Sequence, residues 1–267
     1  DCLYALMLSS ANEAATALAE HISGNTEEFA KLMNARAKKA GAKNTHFANP
    51  NGLHNENHYV TAYDMAMIMK DAIKYPAFLD IIHSTTYTIP VNNKRTEPFT
   101  SYQRHMMIYP TSQYYDADVI GGKTGYTPSA GRTLVTNASH NGLNLTAVTL
   151  NDGNEYVSHE MMYDYGFENY KKYTILDRKK FKIDNAYYPN KIYIKENFSY
   201  PLTDVEKENV KVLVKLTKLD KPNNNDEVGV VIVKLKTEEI FREKVYVKVK
   251  EEAKKGFFKK MWSWLFD

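Results

Sequence analysis

RTLVTNAS (132–139), HNG (140–142) and LNLTAVTL (143–150) decide the fold class. Apolar and polar residues alternate on both sides of an Asn-Gly pair. That is the pattern of two antiparallel strands joined by a tight turn, because Asn and Gly tolerate the positive φ such a turn requires. Immediately upstream, DVIGGKTG (118–125) supplies a third antiparallel neighbour, and YTIPV (87–91) also has a period near two. Before about residue 85 the pattern is helical. LYALML (3–8) is apolar and stops at Ser9-Ser10-Ala11-Asn12, a run that favours a turn, and EAATALAEHIS (13–23) resumes the helix. Asn25 with Glu28 starts a further helix that Gly41 ends, and Thr61 with Asp64 opens AYDMAMIMKDAI as a second capping box. Asn49-Pro50-Asn51-Gly52 between them is loop, and residues 154–170 return to helix. The expected fold is α+β, with helices packed on an antiparallel sheet.

The composition shifts near residue 174. Residues 1–173 carry 14 Lys/Arg against 17 Asp/Glu and all eight His, whereas residues 174–267 carry 21 against 15 and no His. Beyond the shift, NVKVLVKL (209–216), VGVVIVKL (228–235) and KVYVKV (244–249) alternate, with Lys on one face, as in a small all-β sandwich. Residues 221–226 join two of these strands. The last twelve residues form a different pattern. On a helical wheel Phe257, Phe258, Met261, Trp262, Trp264, Leu265 and Phe266 share one side, with Lys259 and Lys260 opposite. A terminal helix docked on the second domain would show this, but both Trp of the chain lie in this tail, which favours an in-plane membrane helix with Trp at headgroup depth. The expected domains are 1–173, 174–251 and an amphipathic membrane-anchor helix at 252–267.

Several classes are excluded. The single Cys2 cannot make a disulfide scaffold, and a net charge of +3 does not call for nucleic acid. No apolar run reaches the ~18–20 residues of a membrane span. Gly122-Lys123-Thr124 resembles the end of a phosphate-binding loop, but Ala117 stands where its first Gly belongs and Pro128 breaks any following helix. His54 and His58 have metal-like spacing around the wrong intervening residues, so they read as surface histidines, and neither a metal nor a cofactor is expected. The informative pair is Ser10-Ala11-Asn12 with Lys123-Thr124-Gly125, the first in a loop between helices and the second on a strand leading into a hairpin. Those are the settings of the second and third motifs of penicillin-recognising serine enzymes. On residues alone, Ser10 and Asn12 also suit an ordinary helix-linking turn.

Leu3 to Ala15, together with NTHFANPNGL (44–53) and GKTGYT (122–127), closely resembles the low-molecular-mass penicillin-binding proteins, the serine-type D-alanyl-D-alanine carboxypeptidases. The resemblance implies a β-lactamase/penicillin-binding-protein-like catalytic domain, here incomplete, followed by the β-rich domain and the anchor. It implies a peptidoglycan stem peptide ending in D-Ala-D-Ala as substrate and β-lactams as inhibitors. It further implies that Lys123 and Thr124 hold the substrate carboxylate, that Gly125 allows the substrate to lie along the strand edge, and that the Tyr126 amide serves the oxyanion hole. Ser10 would relay a proton to the leaving D-Ala, and Asn12 would hold the substrate amide.

One element of the family pattern is missing. The nucleophile belongs to an S-x-x-K motif, and no Ser or Thr of the chain has Lys at the third following position. The expectation is that the acylating Ser and a leader lie before Asp1, with the whole protein working at the extracytoplasmic face of the bacterial cell membrane as a peripheral protein. The rivals are a non-catalytic peptidoglycan- or penicillin-binding protein, and a β-lactamase or transpeptidase of the same superfamily. The β-rich domain and the tail speak against a β-lactamase.

Overall fold

The structure is a computed structural model that describes residues 1–189 and 191–249. Two compact units are present, Asp1–Glu168 and a second beginning at Asn169. The expected helix at 252–267 lies outside the described residues.

The first unit starts with α1 (Cys2–Ser9), α2 (Asn12–Ser23), α3 (Thr26–Ala40), α4 (Ala62–Ala72) and α5 (Pro76–His83). Asn25 Oδ1 accepts the Glu28 N–H at 2.8 Å to open α3, and Gly41 closes it at φ 101°. At α4 the cap is half of what the sequence suggests. Thr61 Oγ1 accepts the Asp64 N–H at 3.1 Å, but the Asp64 carboxylate does not return to the cap. Asp is one methylene too short for that reciprocal bond. Its Oδ2 instead accepts from the Lys43 N–H (3.0 Å), the Asn44 N–H (2.5 Å) and the Thr45 hydroxyl (2.7 Å). Asp64 thus fastens the chain leaving α3 to the start of α4.

A small antiparallel hairpin follows, β1 (Thr86–Ile89) with β2 (Phe99–Tyr102), then a 3-10 turn at Met106–Ile108. The main sheet is β3 (Val119–Thr127), β4 (Gly131–His140) and β5 (Leu143–Leu150), antiparallel in that order, and α6 (Glu155–Asn169) comes next. The β4–β5 turn is Asn141-Gly142, with φ of 49° and 77°, as the pair predicts. His140 extends β4 rather than joining the turn. Register sets the layers. Gly121, Asn137 and their alternates share one face, where Gly121 meets Ile82 of α5. Leu134, Thr136 and Ala138 share the other, where Thr136 bonds His159 and Tyr163 of α6. The sheet is therefore covered by α5 on one face and α6 on the other.

In the second unit, β6 (Lys171–Leu176) pairs with β8 (Phe198–Leu202). A four-stranded antiparallel sheet runs β7 (Ile192–Tyr193), β11 (Glu238–Val247), β10 (Glu227–Leu235), β9 (Val210–Leu216), with α7 (Asp204–Glu208) before β9. Val228, Val231, Val233, Val245 and Val247 build one core with Leu176 and Ile192, and Phe198 of β8 stacks on Phe241 of β11 at 4.1 Å.

Candidate functional site

Strand alternation places Lys123 on the same face of β3 as Gly121, the face toward α5. Its side chain crosses to the α1–α2 turn, where Nζ donates a short hydrogen bond to Ser10 Oγ and another to the Thr124 carbonyl at 2.7 Å. Two residues 113 positions apart in sequence thus meet. Ser10 is held in the left-handed region at φ 58°, ψ 44°. A non-glycine residue there costs about 1–2 kcal/mol. The abrupt reversal between α1 and α2 imposes it: the Ser10 N–H bonds the Leu6 carbonyl at 3.1 Å and the Ala11 N–H bonds the Ala5 carbonyl at 3.2 Å. Buried Leu8, Ala15 and Ala19 fix the two helices that flank the turn.

Asn12 begins α2 and is exposed. Its side chain has no hydrogen-bond partner among the described residues, and its carbonyl accepts from the Thr16 hydroxyl at 3.1 Å. Thr124 is half-buried, and Gly125 and Tyr126 are exposed on the same strand. Among the described residues β3 pairs with β4 only, so its outer edge carries no strand. Gly125 has a packing reason to be glycine, since a Cβ there would stand 2.5 Å from Thr133 Oγ1. The structure therefore brings Ser10 and Lys123 into contact, with Thr124, Gly125 and Tyr126 along the open edge and Asn12 two residues beyond Ser10.

Burial, and secondarily the charge of Arg104, lower the Lys123 pKa from 10.5 to about 8. Arg104 carries no motif and the sequence does not single it out. It follows β2, is exposed, and has no carboxylate partner among the described residues. The two cations lie near enough for the charge of Arg104 to act on Lys123, although burial is the larger cause of its lowered pKa.

The layer behind the sheet is structural. Thr136 Oγ1 lies 2.7 Å from His159 Nδ1 and 2.5 Å from the Tyr163 hydroxyl, and Thr149 Oγ1 lies 3.2 Å from His159 Nε2. Burial pushes His159 down to about 4 and His105 to about 3, so both are neutral at pH 7. They sit across the sheet from Lys123. Of the two histidines read as surface residues, His54 is exposed and bonds Ser129. His58 is half-buried because its Nδ1 accepts the Ala48 N–H at 3.2 Å, which makes it part of the loop's own scaffold.

The family described as D-alanyl-D-alanine carboxypeptidase matches residues 1–154. The chain is 34% identical over 185 residues to the D-alanyl-D-alanine carboxypeptidase DacF of Bacillus subtilis, covering 67% of this chain and 45% of that protein. It is 30% identical to DacA of Haemophilus influenzae, covering 97% of this chain and 66% of DacA. The chain thus spans roughly half to two thirds of these curated relatives. Among solved structures it is similar to penicillin binding protein 5 from Haemophilus influenzae, with a TM-score of 0.70 and 28% identity over 92% of this chain and 72% of that one. A TM-score of 0.71 to a Streptococcus pneumoniae protein, PBP3, at 22% identity over 92% of this chain and 76% of that one, shows the same fold.

Proposed function

Because the chain belongs to the D-alanyl-D-alanine carboxypeptidase family, we propose that it forms the substrate-recognising part of a serine-type D-Ala-D-Ala carboxypeptidase acting on peptidoglycan stem peptides. The convergence of Lys123 Nζ on Ser10 Oγ, beside Arg104 and an open strand edge, carries this reading. The terminal carboxylate of the substrate sits on Lys123 and Arg104, with the Thr124 hydroxyl as a further donor. The peptide lies along β3 as an added strand, Asn12 holds its amide, and the Tyr126 N–H faces the developing oxyanion.

In acylation a serine oxygen bonds to the carbonyl carbon of the penultimate D-Ala, and the C–N bond to the last D-Ala breaks. The leaving nitrogen takes the Ser10 hydroxyl proton, and Ser10 recovers one from Lys123 Nζ. The proton released by the attacking serine hydroxyl restores the Lys123 ammonium, so the step is neutral overall. Water then hydrolyses the ester. The serine of an S-x-x-K motif is not among these 267 residues. A second reading is a non-catalytic peptidoglycan binder that keeps Lys123 as a carboxylate anchor, and whether an S-x-x-K motif stands in sequence upstream of Asp1 decides between the two. A role at the extracytoplasmic membrane surface, through residues 256–267, belongs to the proposal in either reading.

Calorimetric titration of the 267-residue protein tests it. Acetyl-D-Ala-D-Ala is expected to bind, acetyl-L-Ala-L-Ala to bind more weakly, and Lys123→Ala to lose at least tenfold in affinity. Equal binding of both peptides, or no effect of Lys123→Ala, refutes it. Without the S-x-x-K serine, no stable label from a fluorescent penicillin is expected.

A further inference from the structure

An added strand can extend in one direction only from Lys123. At the start of β3 the Ile120 carbonyl is occupied by His83 Nδ1 at 2.8 Å, and Gly121 lies so close to α5 that a Cβ would overlap the Ile82 carbonyl. With the carboxylate at Lys123, the residues preceding D-Ala-D-Ala run toward Tyr126, Thr127 and the β3–β4 turn.

That turn is tied down. Thr127 Oγ1 accepts the Ala130 N–H at 3.0 Å and lies 3.3 Å from Ser129 Oγ. Ser129 Oγ in turn is hydrogen-bonded to His54 Nδ1 at 2.9 Å, across 75 positions of sequence. His54 extends from a loop that holds its own shape. Asn49 Oδ1 accepts the Gly52 N–H at 2.8 Å, its Nδ2 donates to the Leu53 carbonyl at 2.9 Å, and Asn51 Oδ1 accepts the Leu53 N–H at 3.1 Å. The loop's root is fixed to α3, where Asn34 brackets the Phe47 N–H (2.7 Å) and carbonyl (2.8 Å). A self-bonded loop is thus latched by one side-chain pair to the end of the substrate edge.

The geometry points to His54 and Ser129 as positioning residues that fix the groove beyond D-Ala-D-Ala, so that the protein discriminates extended stem peptides from the bare dipeptide. This rests on the reading of Lys123 as the carboxylate anchor. Both side chains are exposed, so their bond contributes little to global stability. Its effect falls on the turn it holds.

The test is a double-mutant cycle read with two ligands. Acetyl-D-Ala-D-Ala and an acetylated pentapeptide with the same terminus are titrated into the wild type, His54→Ala, Ser129→Ala and the double variant. Dipeptide affinity is expected to stay within about twofold throughout. Pentapeptide affinity is expected to fall about fivefold in either single variant, the worth of one neutral hydrogen bond, and no further in the double. Equal losses for both peptides, or an unchanged pentapeptide, overturn the inference while leaving the Lys123 reading intact. Failure of the wild type to bind either peptide removes both. If His54→Ala melts early, Ser129→Ala, which loses only an exposed hydroxyl, reads the same bond.

Discussion

If Lys123 anchors the substrate carboxylate, peptide affinity must fall in alkaline solution. Burial and then Arg104 bring the Lys123 pKa from 10.5 to about 8 in the free protein. A bound carboxylate supplies the counter-charge and favours the ammonium form, so the complex keeps its proton to higher pH. Below about pH 7 the free and bound forms are both protonated, and the Kd for acetyl-D-Ala-D-Ala is flat. Above about pH 8 binding must take up a proton, and affinity falls roughly tenfold per pH unit. If the carboxylate restores the ordinary value of 10.5, the shift from about 8 corresponds to a total loss of roughly 300-fold, or about 3.4 kcal/mol. Calorimetry or NMR titration between pH 6 and 10 measures the slope and roughly the first 80-fold of that loss. Lys123→Met should bind weakly at every pH with no slope, and Lys123→Arg, whose charge does not titrate in this range, should flatten the alkaline limb. A wild-type Kd that is unchanged between pH 7 and 9.5, or the same slope in Lys123→Met, refutes the reasoning.

Three further outcomes are expected. His105 and His159 are buried bases whose folded pKa values, about 3 and about 4, lie below 6.5, so the unfolded chain binds more protons as pH drops. Their contribution is complete above about pH 6.5 and is lost progressively toward pH 4 and 3, about 2 kcal/mol per histidine by pH 5. Urea melts at pH 7.5 and 5 measure this, and His105→Phe should remove about half of the loss; an unaltered pH dependence counts against it. Gly121→Ala drives a Cβ into the Ile82 backbone and should destabilise by about 1–3 kcal/mol. Gly153→Ala, with open space around it, should stay within about 0.5 kcal/mol in the same thermal melts. Deleting residues 256–267 should release the protein from anionic vesicles in a flotation assay, and undiminished flotation would exclude the tail as the anchor.

What the sequence discloses follows from how local each constraint is. The β4–β5 hairpin is legible because its turn needs two consecutive positive φ values, and Asn141-Gly142 is the pair that adopts them readily. The β10–β11 hairpin turns through Lys236 at φ 54°, a residue with no such preference, and Glu238, Glu239, Arg242 and Glu243 break the alternation of the strand that follows. Only the end of β11, from Lys244, therefore shows the alternation of a strand. The short strand β2 is hidden for a similar reason, because its partner β1 lies across a polar loop and the pairing is set by register rather than by a turn motif. The site divides along the same line. Ser10 and Lys123 are visible only through the resemblance, since their meeting depends on an αL turn at one end of the unit and on strand alternation at the other. Arg104 and the His54–Ser129 latch leave no mark on the sequence, because each is defined by what the fold sets opposite it. The residues proposed to hold a carboxylate with Lys123 and to fix the groove beyond it are therefore products of tertiary structure. Variants at these positions will separate recognition of the peptide from stability of the fold better than changes within the motifs themselves.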